Sequence, residues 1–199
     1  MSDPVILASA SQARAEMLRA AGVEIEVQPA RVDEEEIRIA FRAEGASARD
    51  LADALAEIKA KKISARRPGA LVLGADQTLA AGEDQFDKPR DRNEARAQLL
   101  TLRGRTHHLH SAAVIALDGK PIFRHVGTAR LAMRPFSERF VDDYLDRLGA
   151  AVLDTVGGYH LEGLGAQVFA RVDGDHFTVR GLPLLEVLGF LRARGRLIE

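Results

Sequence analysis

The sequence predicts an α/β fold, a mixed twisted sheet flanked by helices, in one domain of two lobes with a central cleft. Apolar runs at residues 5–8 and 70–73 are too short for helices and indicate buried strands. Between such runs lie stretches with apolar residues at helical spacing, which begin at Ser or Asp and end at Gly or Pro. Asp118 and Gly119 separate two β-rich runs and predict a hairpin. Alternating strands and helices are typical of α/β proteins.

Composition limits the classes of function. The 199 residues carry a net charge of −1, and neither a stripe of basic and aromatic residues nor a phosphate-binding P-loop motif occurs, so nucleic-acid binding and P-loop chemistry are not expected. No apolar run approaches membrane-spanning length, and the first residues do not have the pattern of a signal peptide. Cysteine is absent, which excludes disulfides and thiolate sites. We therefore expect a cytoplasmic protein without a membrane partner.

The first strand, residues 5–8, leads into a helix that we expect to end near residue 21. Ser9, Ser11 and Arg14 lie at the start of this helix, where free N–H groups and the positive end of the dipole favour phosphate. Capping alone explains Ser11. It does not explain Arg14, because a cation in the first turn opposes the dipole. The pattern predicts that an anion binds here.

A second strand is predicted at residues 24–27, followed by an acidic stretch at residues 33–36. Either Asp33 or Glu34 could hold a divalent cation, but acidic residues are also favoured in the first turn of any exposed helix. The sequence alone favours the second interpretation.

The run at 70–73 is the predicted central strand. It follows a helix at residues 47–66 that carries Lys59, and it precedes Gly74, Ala75 and Asp76. We expect the strand to end there, with Gly74 leaving room for a ligand and Asp76 at the strand end, where α/β proteins bind ligands. Taken alone, Asp76 is better explained as a turn former or a helix cap, and the ligand-binding interpretation depends on the rest of the sequence.

The second half of the sequence predicts further local elements. Lys88 precedes a proline and is held in extended geometry, and Asp91 caps a helix that Gly104 ends. Hairpin strands are expected at 105–117 and 121–133. A metal site at His107, His108 and His110 is not favoured, because no nearby carboxylate or cysteine completes it. A helix at 138–148, a glycine-rich loop at 153–165, a strand at 166–172 and a last helix from Pro183 follow.

Together these pieces resemble the Maf-like nucleoside triphosphate pyrophosphatases. The resemblance spans nearly the whole chain and includes the Asp33-Glu34 and Lys59-Ala60 pairs. Its five motifs, in the family's order, are Leu7-Ala8-Ser9-Ala10-Ser11 with Arg14, Gly74-Ala75-Asp76, Lys88-Pro89-Arg90, Gly104-Arg105-Thr106-His107 and Gly181-Leu182-Pro183-Leu184.

The resemblance implies an elongated sheet similar to that of inosine triphosphate pyrophosphatases. It also implies hydrolysis of a nucleoside triphosphate to the monophosphate and diphosphate with Mg²⁺ or Mn²⁺. Proteins of this family have been linked to septum formation and often form homodimers, although nothing in this sequence fixes the oligomeric state. By resemblance, Asp76 is the general base, and Arg14, Lys59 and Lys88 are cations that bind phosphate, to which Ser9 and Ser11 would add hydrogen-bond donors. Our own expectation is that Asp76 and Glu34 are the carboxylates that hold the metal, although a metal ion on Asp76 would compete with its role as base.

The sequence departs from the family branch that prefers dTTP and UTP. Gln77 and Glu162 resemble the branch that prefers 7-methyl-GTP, and Glu162 could accept hydrogen bonds from guanine. Ala13 matches neither branch, and Thr155 stands where many relatives have lysine. We therefore expect 7-methyl-GTP among the substrates. A nucleotide-binding regulator of cell division without turnover is the alternative.

Overall fold

The computed structural model describes residues 3–198 and confirms a mixed α/β fold with a seven-stranded sheet. The strands are β1 (Val5–Leu7), β2 (Ile25–Val27), β3 (Val72–Ala81), β4 (Asp84–Phe86), β5 (Thr106–Leu117), β6 (Lys120–Met133) and β7 (Phe169–Asp173). The helices are α1 (Gln12–Ala20), α2 (Glu34–Ala43), α3 (Ala48–Ser64), α4 (Arg92–Leu102), α5 (Glu138–Leu148), α6 (His176–Val179) and α7 (Leu184–Ala193). The strand order is β2-β1-β3-β5-β6-β7, and β4 pairs with β3.

The described residues divide into two compact units, neither of which is continuous in sequence. The first unit comprises residues 3–77, 110–127 and 176–198, and the second comprises residues 78–109 and 128–175. The prediction of a single domain over the whole chain stays a prediction.

In the first unit, helices cover both faces of the sheet. Strand β1 runs parallel to β2 and β3. Leu7 and Leu73 pack in one core cluster with residues of α1 and α7, whereas their neighbours Ile6 and Val72 pack with Ile63 of α3. Alternate residues of a strand point to opposite faces. The residues after Leu73 in β3 therefore alternate between the side of α3 and the side of α1 and α7.

Strand β3 differs from its prediction, because it does not end before Asp76 but continues to Ala81. Gly74 leaves room for a helix and not for a ligand: a Cβ there would lie 2.1 Å from the carbonyl oxygen of Ala56 and 2.6 Å from the backbone nitrogen of Ala60, both in α3. A glycine inside a strand often marks such a close approach of another backbone. Asp76 is thus a mid-strand residue on the side of α3.

In the second unit, charged side chains link α4 to α5 at the surface. Arg96 of α4 contacts Asp142 at 2.7 Å and Glu138 at 2.8 Å, and both acceptors belong to α5. The glycine-rich segment at 153–165 forms short 3₁₀ turns with Gly157 and Gly158 at positive φ. Strand β7 begins three residues later than predicted, because residues 164–168 form one of these turns.

Local predictions are confirmed at several points. The hairpin turn has φ of 49° at Asp118 and 75° at Gly119, as a two-residue hairpin requires. Predicted caps accept hydrogen bonds from the first turns of their helices, and Pro183 is the N-cap of α7 instead of its first residue. The capping residues are Ser11, Ser47, Asp91 and Ser137. Among residues 3–198, no helix has the length and apolar character needed to cross a membrane.

Candidate active site

Four charged side chains of the first unit form a closed ring of alternating charge, which we call the charged ring: Asp76, Lys59, Glu34 and Arg38. Lys59 Nζ lies 2.7 Å from Asp76 Oδ1 and 2.7 Å from Glu34 Oε1. Arg38 Nη2 lies 3.5 Å from Asp76 Oδ2 and 3.3 Å from Glu34 Oε2. Each carboxylate therefore has one oxygen facing the lysine and the other facing the arginine.

The ring is positioned by three elements. Asp76 projects from β3 toward α3, Lys59 comes from α3, and Glu34 and Arg38 lie one turn apart on α2. Asp76 and Lys59 are only 4% and 6% exposed. Buried charges persist when partners of opposite charge compensate for lost hydration. Burial alone would raise the pKa of Glu34, but Lys59 and Arg38 hold that pKa below its ordinary value.

Arg14 is buried beside the ring. Its Nε donates to the carbonyl oxygen of Gly181 at 2.8 Å, and its Nη1 donates to Ser9 Oγ at 2.9 Å and to the carbonyl oxygen of Ala75 at 3.0 Å. Burial lowers the pKa of Arg14, and the charges of Asp76 and Glu34 partly oppose that change. The guanidinium is thus fixed by neutral oxygen atoms, which leaves its charge available to an anion.

The start of α1 adds polar groups from the same unit. Ser11 accepts a hydrogen bond from the backbone nitrogen of Arg14, so its capping role is confirmed. Ser9 accepts from the backbone nitrogen of Ser11 as well as from the Arg14 side chain. Binding of an anion by these groups stays a prediction.

Gln77 points to the opposite side of β3 from Asp76. Its Nε2 donates to Ser111 Oγ at 2.9 Å and to the carbonyl oxygens of Thr178 and Val179, both at 3.1 Å. This amide nitrogen therefore fastens the segment before Gly181 to the sheet. A contact of Gln77 with substrate stays a prediction, for which its Oε1 is the remaining polar atom.

Two predicted substrate residues belong to the second unit. Lys88 lies before α4, Glu162 lies in the glycine-rich segment, and both are exposed. Their roles toward a nucleotide stay predictions.

The fit of a divalent metal rests on two carboxylates. Oxygens of Asp76 and Glu34 converge on one cation already, the ammonium of Lys59. Mg²⁺ prefers oxygen ligands and needs only one or two carboxylates when phosphates and waters complete its shell. Across residues 3–198, no three His, Cys, Asp or Glu side chains are grouped as a complete protein site would require. Asp33, the alternative to Glu34, caps α2 by accepting a hydrogen bond from the backbone nitrogen of Glu36, and a metal-binding role for Asp33 stays a prediction.

Arg38, the fourth member of the ring, is not among the site residues predicted from the sequence. The only indication in the sequence is the spacing of Glu34 and Arg38, which permits an ion pair between residues one turn apart on a helix. It could not reveal that both residues also face α3 and β3, because that contact depends on the packing of α2.

Curated proteins resemble this chain over nearly their full length. A protein of Jannaschia sp. named nucleoside triphosphate pyrophosphatase 1 is 54% identical over 96% of both chains. A nucleoside triphosphate pyrophosphatase of Paramagnetospirillum magneticum is 52% identical over 97% of this chain and 100% of its own. A protein of Mesorhizobium japonicum named 7-methyl-GTP pyrophosphatase is 49% identical over 98% of both chains.

A solved structure of a nucleoside-triphosphatase, also named dITP/XTP pyrophosphatase, from Mycobacterium abscessus covers 97% of this chain and 95% of its own. The TM-score is 0.43 at 16% identity. By contrast, the family model described as Maf-like protein matches residues 4–194, almost the whole sequence. This chain therefore belongs to the Maf-like protein family.

Proposed function

We propose that this protein hydrolyses nucleoside triphosphates to the nucleoside monophosphate and diphosphate, with a divalent metal ion. The observation that carries the proposal is the charged ring, in which a buried carboxylate, Asp76, is surrounded by Lys59, Arg38 and the nearby Arg14. Names of relatives about 50% identical to this chain support the same reaction.

The proposed reaction transfers the α-phosphoryl group to water. Water oxygen attacks the α-phosphorus, the bond from that phosphorus to the bridging oxygen breaks, and diphosphate leaves. Asp76 orients the water and accepts its proton. Negative charge spreads over the phosphate oxygens in the transition state, and buried cations stabilise it more strongly than they would in bulk water. Lys59 and Arg14 have this role, with the N–H groups and hydroxyls at the start of α1.

The metal ion would be held by Asp76 and Glu34, whose oxygens already converge on a cation. When bound, it would neutralise phosphate charge and orient the triphosphate. Lys59, which contacts both carboxylates, would then be available to bind the phosphates.

The proposed substrates include 7-methyl-GTP. Glu162 carries the carboxylate that could accept from guanine N–H groups, and the Mesorhizobium japonicum relative bears that substrate in its name. The more similar relatives from Jannaschia and Paramagnetospirillum have general names, so the preference has to be measured directly.

The test is release of diphosphate from a panel of nucleotides with Mg²⁺ or Mn²⁺: the common four, dTTP, 5-methyl-UTP and 7-methyl-GTP. We expect Asp76→Asn to fold, because Glu34 still neutralises Lys59, to bind nucleotide, and to lose turnover by roughly 10²–10⁴-fold. The matched control is Asp146→Asn, whose side chain is 71% exposed on α5 and should leave turnover unchanged.

The outcomes separate the hypotheses. If diphosphate is released mainly from dTTP and UTP, the proposed reaction stands and the proposed preference for 7-methyl-GTP is rejected. Near-wild-type turnover in Asp76→Asn would remove Asp76 from the mechanism. No release from any nucleotide by folded, metal-loaded protein would favour the regulator that binds without hydrolysis.

A further inference from the structure

Arg38 is the cation of the charged ring with the longest contacts to the carboxylates. Its Nη2 lies 3.3 Å from Glu34 and 3.5 Å from Asp76, whereas Lys59 lies 2.7 Å from each carboxylate. The Arg38 side chain is only 13% exposed. Both contacts of Arg38 are thus longer than the contacts that Lys59 makes with the same two carboxylates, and a phosphate that replaces them would restore an anionic partner to the guanidinium.

The helix that carries Arg38 can follow such an exchange. None of the residues of α2 is buried, and Ile39 is 58% exposed. Helix α2 packs against α3 without inserting a fully buried side chain. It supplies two of the four members of the charged ring, Glu34 and Arg38. A shift of α2 therefore leaves the apolar core of the first unit in place.

The charges of this region favour an anionic ligand over further carboxylates. Three cations, Arg14, Lys59 and Arg38, face two carboxylates, Asp76 and Glu34. Guanidinium groups match phosphate with two parallel hydrogen bonds, which a lysine ammonium cannot provide. A triphosphate can thus supply what the ring lacks, namely several closely spaced anionic oxygens.

We propose that Arg38 binds the triphosphate of the substrate, exchanging its contacts with Asp76 and Glu34 for phosphate oxygens as α2 closes onto the ligand. This inference rests on the proposed function and adds to it a substrate-binding residue outside the motifs of the sequence. The exchange frees Asp76 from one of its two cations, which leaves that carboxylate available as the base.

Binding in the absence of turnover tests the inference. Calorimetry would compare α,β-methylene analogues of GTP and UTP, which cannot be cleaved between the α- and β-phosphates, with GMP and UMP. We expect Arg38→Gln to weaken binding of the analogues roughly tenfold to a hundredfold, as loss of a charged hydrogen bond predicts, and to change GMP and UMP binding little. Arg38→Lys should recover part of the loss.

The matched control is Arg42→Gln, which removes an exposed arginine from the next turn of α2 and should bind like wild type. Circular dichroism would verify that each variant is folded. Should Arg38→Gln fail to fold, the comparison of Arg38→Lys with wild type still applies, and equal affinity of the two for the analogues would reject the proposal.

Two other results would overturn the proposal. If Arg38→Gln binds the analogues as tightly as wild type does, Arg38 does not bind the phosphates. If the affinity of Arg38→Gln is unchanged but the pH profile of its turnover is shifted, Arg38 instead positions Asp76. Failure of the proposed function is recognised separately, because wild-type protein would then release no diphosphate from any nucleotide.

Discussion

Each of the two units contains a buried polar cluster, and the two clusters offset the cost of removing polar groups from water in opposite ways. In the first unit, the charged ring keeps full charges by pairing them. In the second, His107 and Tyr159 form a neutral pair, with His107 Nε2 2.6 Å from the Tyr159 hydroxyl. Both strategies avoid an isolated buried charge, which is far more costly than a buried hydrogen bond.

Burial without a counter-charge keeps the second pair neutral. It lowers the pKa of His107 to about 4, assisted by the nearby charge of His108, and raises the pKa of Tyr159 well above its ordinary value. Burial also raises the pKa of Tyr144, whose hydroxyl donates to the carbonyl oxygen of Gly158. The cluster that we propose to bind phosphate needs charge, whereas one that fixes a loop needs only directional hydrogen bonds.

The largest expected effect concerns the approach of α3 to β3, on which the charged ring depends. Gly74→Ala should lower the free energy of unfolding by more than about 3 kcal/mol, because the new Cβ would overlap backbone atoms of α3. Gly189→Ala is the control: nothing lies within 4 Å of its Cβ position on α7, so it should be neutral or gain up to about 1 kcal/mol. Urea unfolding measures both. Equal stability of the two variants would contradict this packing.

The next effect is the pH dependence that the neutral pair contributes. The pKa of His107 is near 6.5 in the unfolded chain and about 4 in the folded protein, so the unfolded state binds the proton first as the pH falls. Stability is therefore full above about pH 6.5 and declines toward about pH 4. Between about pH 7 and about pH 5 we expect a loss of about 2 kcal/mol from this group.

Removing His107 isolates this contribution. His107→Phe should lose the corresponding part of the pH dependence measured by urea unfolding, while carboxylates contribute equally to both proteins. His176→Asn, an exposed position, controls for the loss of an imidazole. Identical pH dependence in wild type and His107→Phe would mean that His107 is not buried as a neutral group.

The smallest effect is the hydrogen bond of the neutral pair. Tyr159→Phe should cost about 1 to 2 kcal/mol, since His107 would lose the partner of Nε2, and its Nδ1 has none among the described residues. The double variant His107→Phe, Tyr159→Phe should cost less than the sum of the single variants, because no polar group then remains unpaired. Additive losses would show that the two side chains do not interact.

Local features of the fold could be predicted from the sequence. Caps such as Ser11 and Ser47 depend on a hydroxyl and the backbone three residues later, and the hairpin depends on two adjacent residues that tolerate positive φ. These signals are contained in a few consecutive positions. The relation of Asp76 to Lys59 came from resemblance, and the structure brings the two side chains together.

The errors arose where packing between distant segments decides the outcome. Gly74 was predicted to lie at the end of a strand. Instead, the lack of a side chain at Gly74 allows close packing of α3, a helix that precedes it in the sequence. Arg38 was not among the predicted site residues, and only the position of α2 brings it to Asp76. Neither contact has a signature in neighbouring residues.

The anchoring of Arg14 has a consequence for synthesis of the protein. All four members of the charged ring precede residue 77, but Arg14 Nε is held by the carbonyl oxygen of Gly181, 167 residues further along the chain. A nascent chain on the ribosome can form α1 and β1 early, yet its arginine has no fixed orientation until residues 176–181 emerge. The Arg14 guanidinium thus acquires its fixed orientation late in translation, after most of the polypeptide has been made.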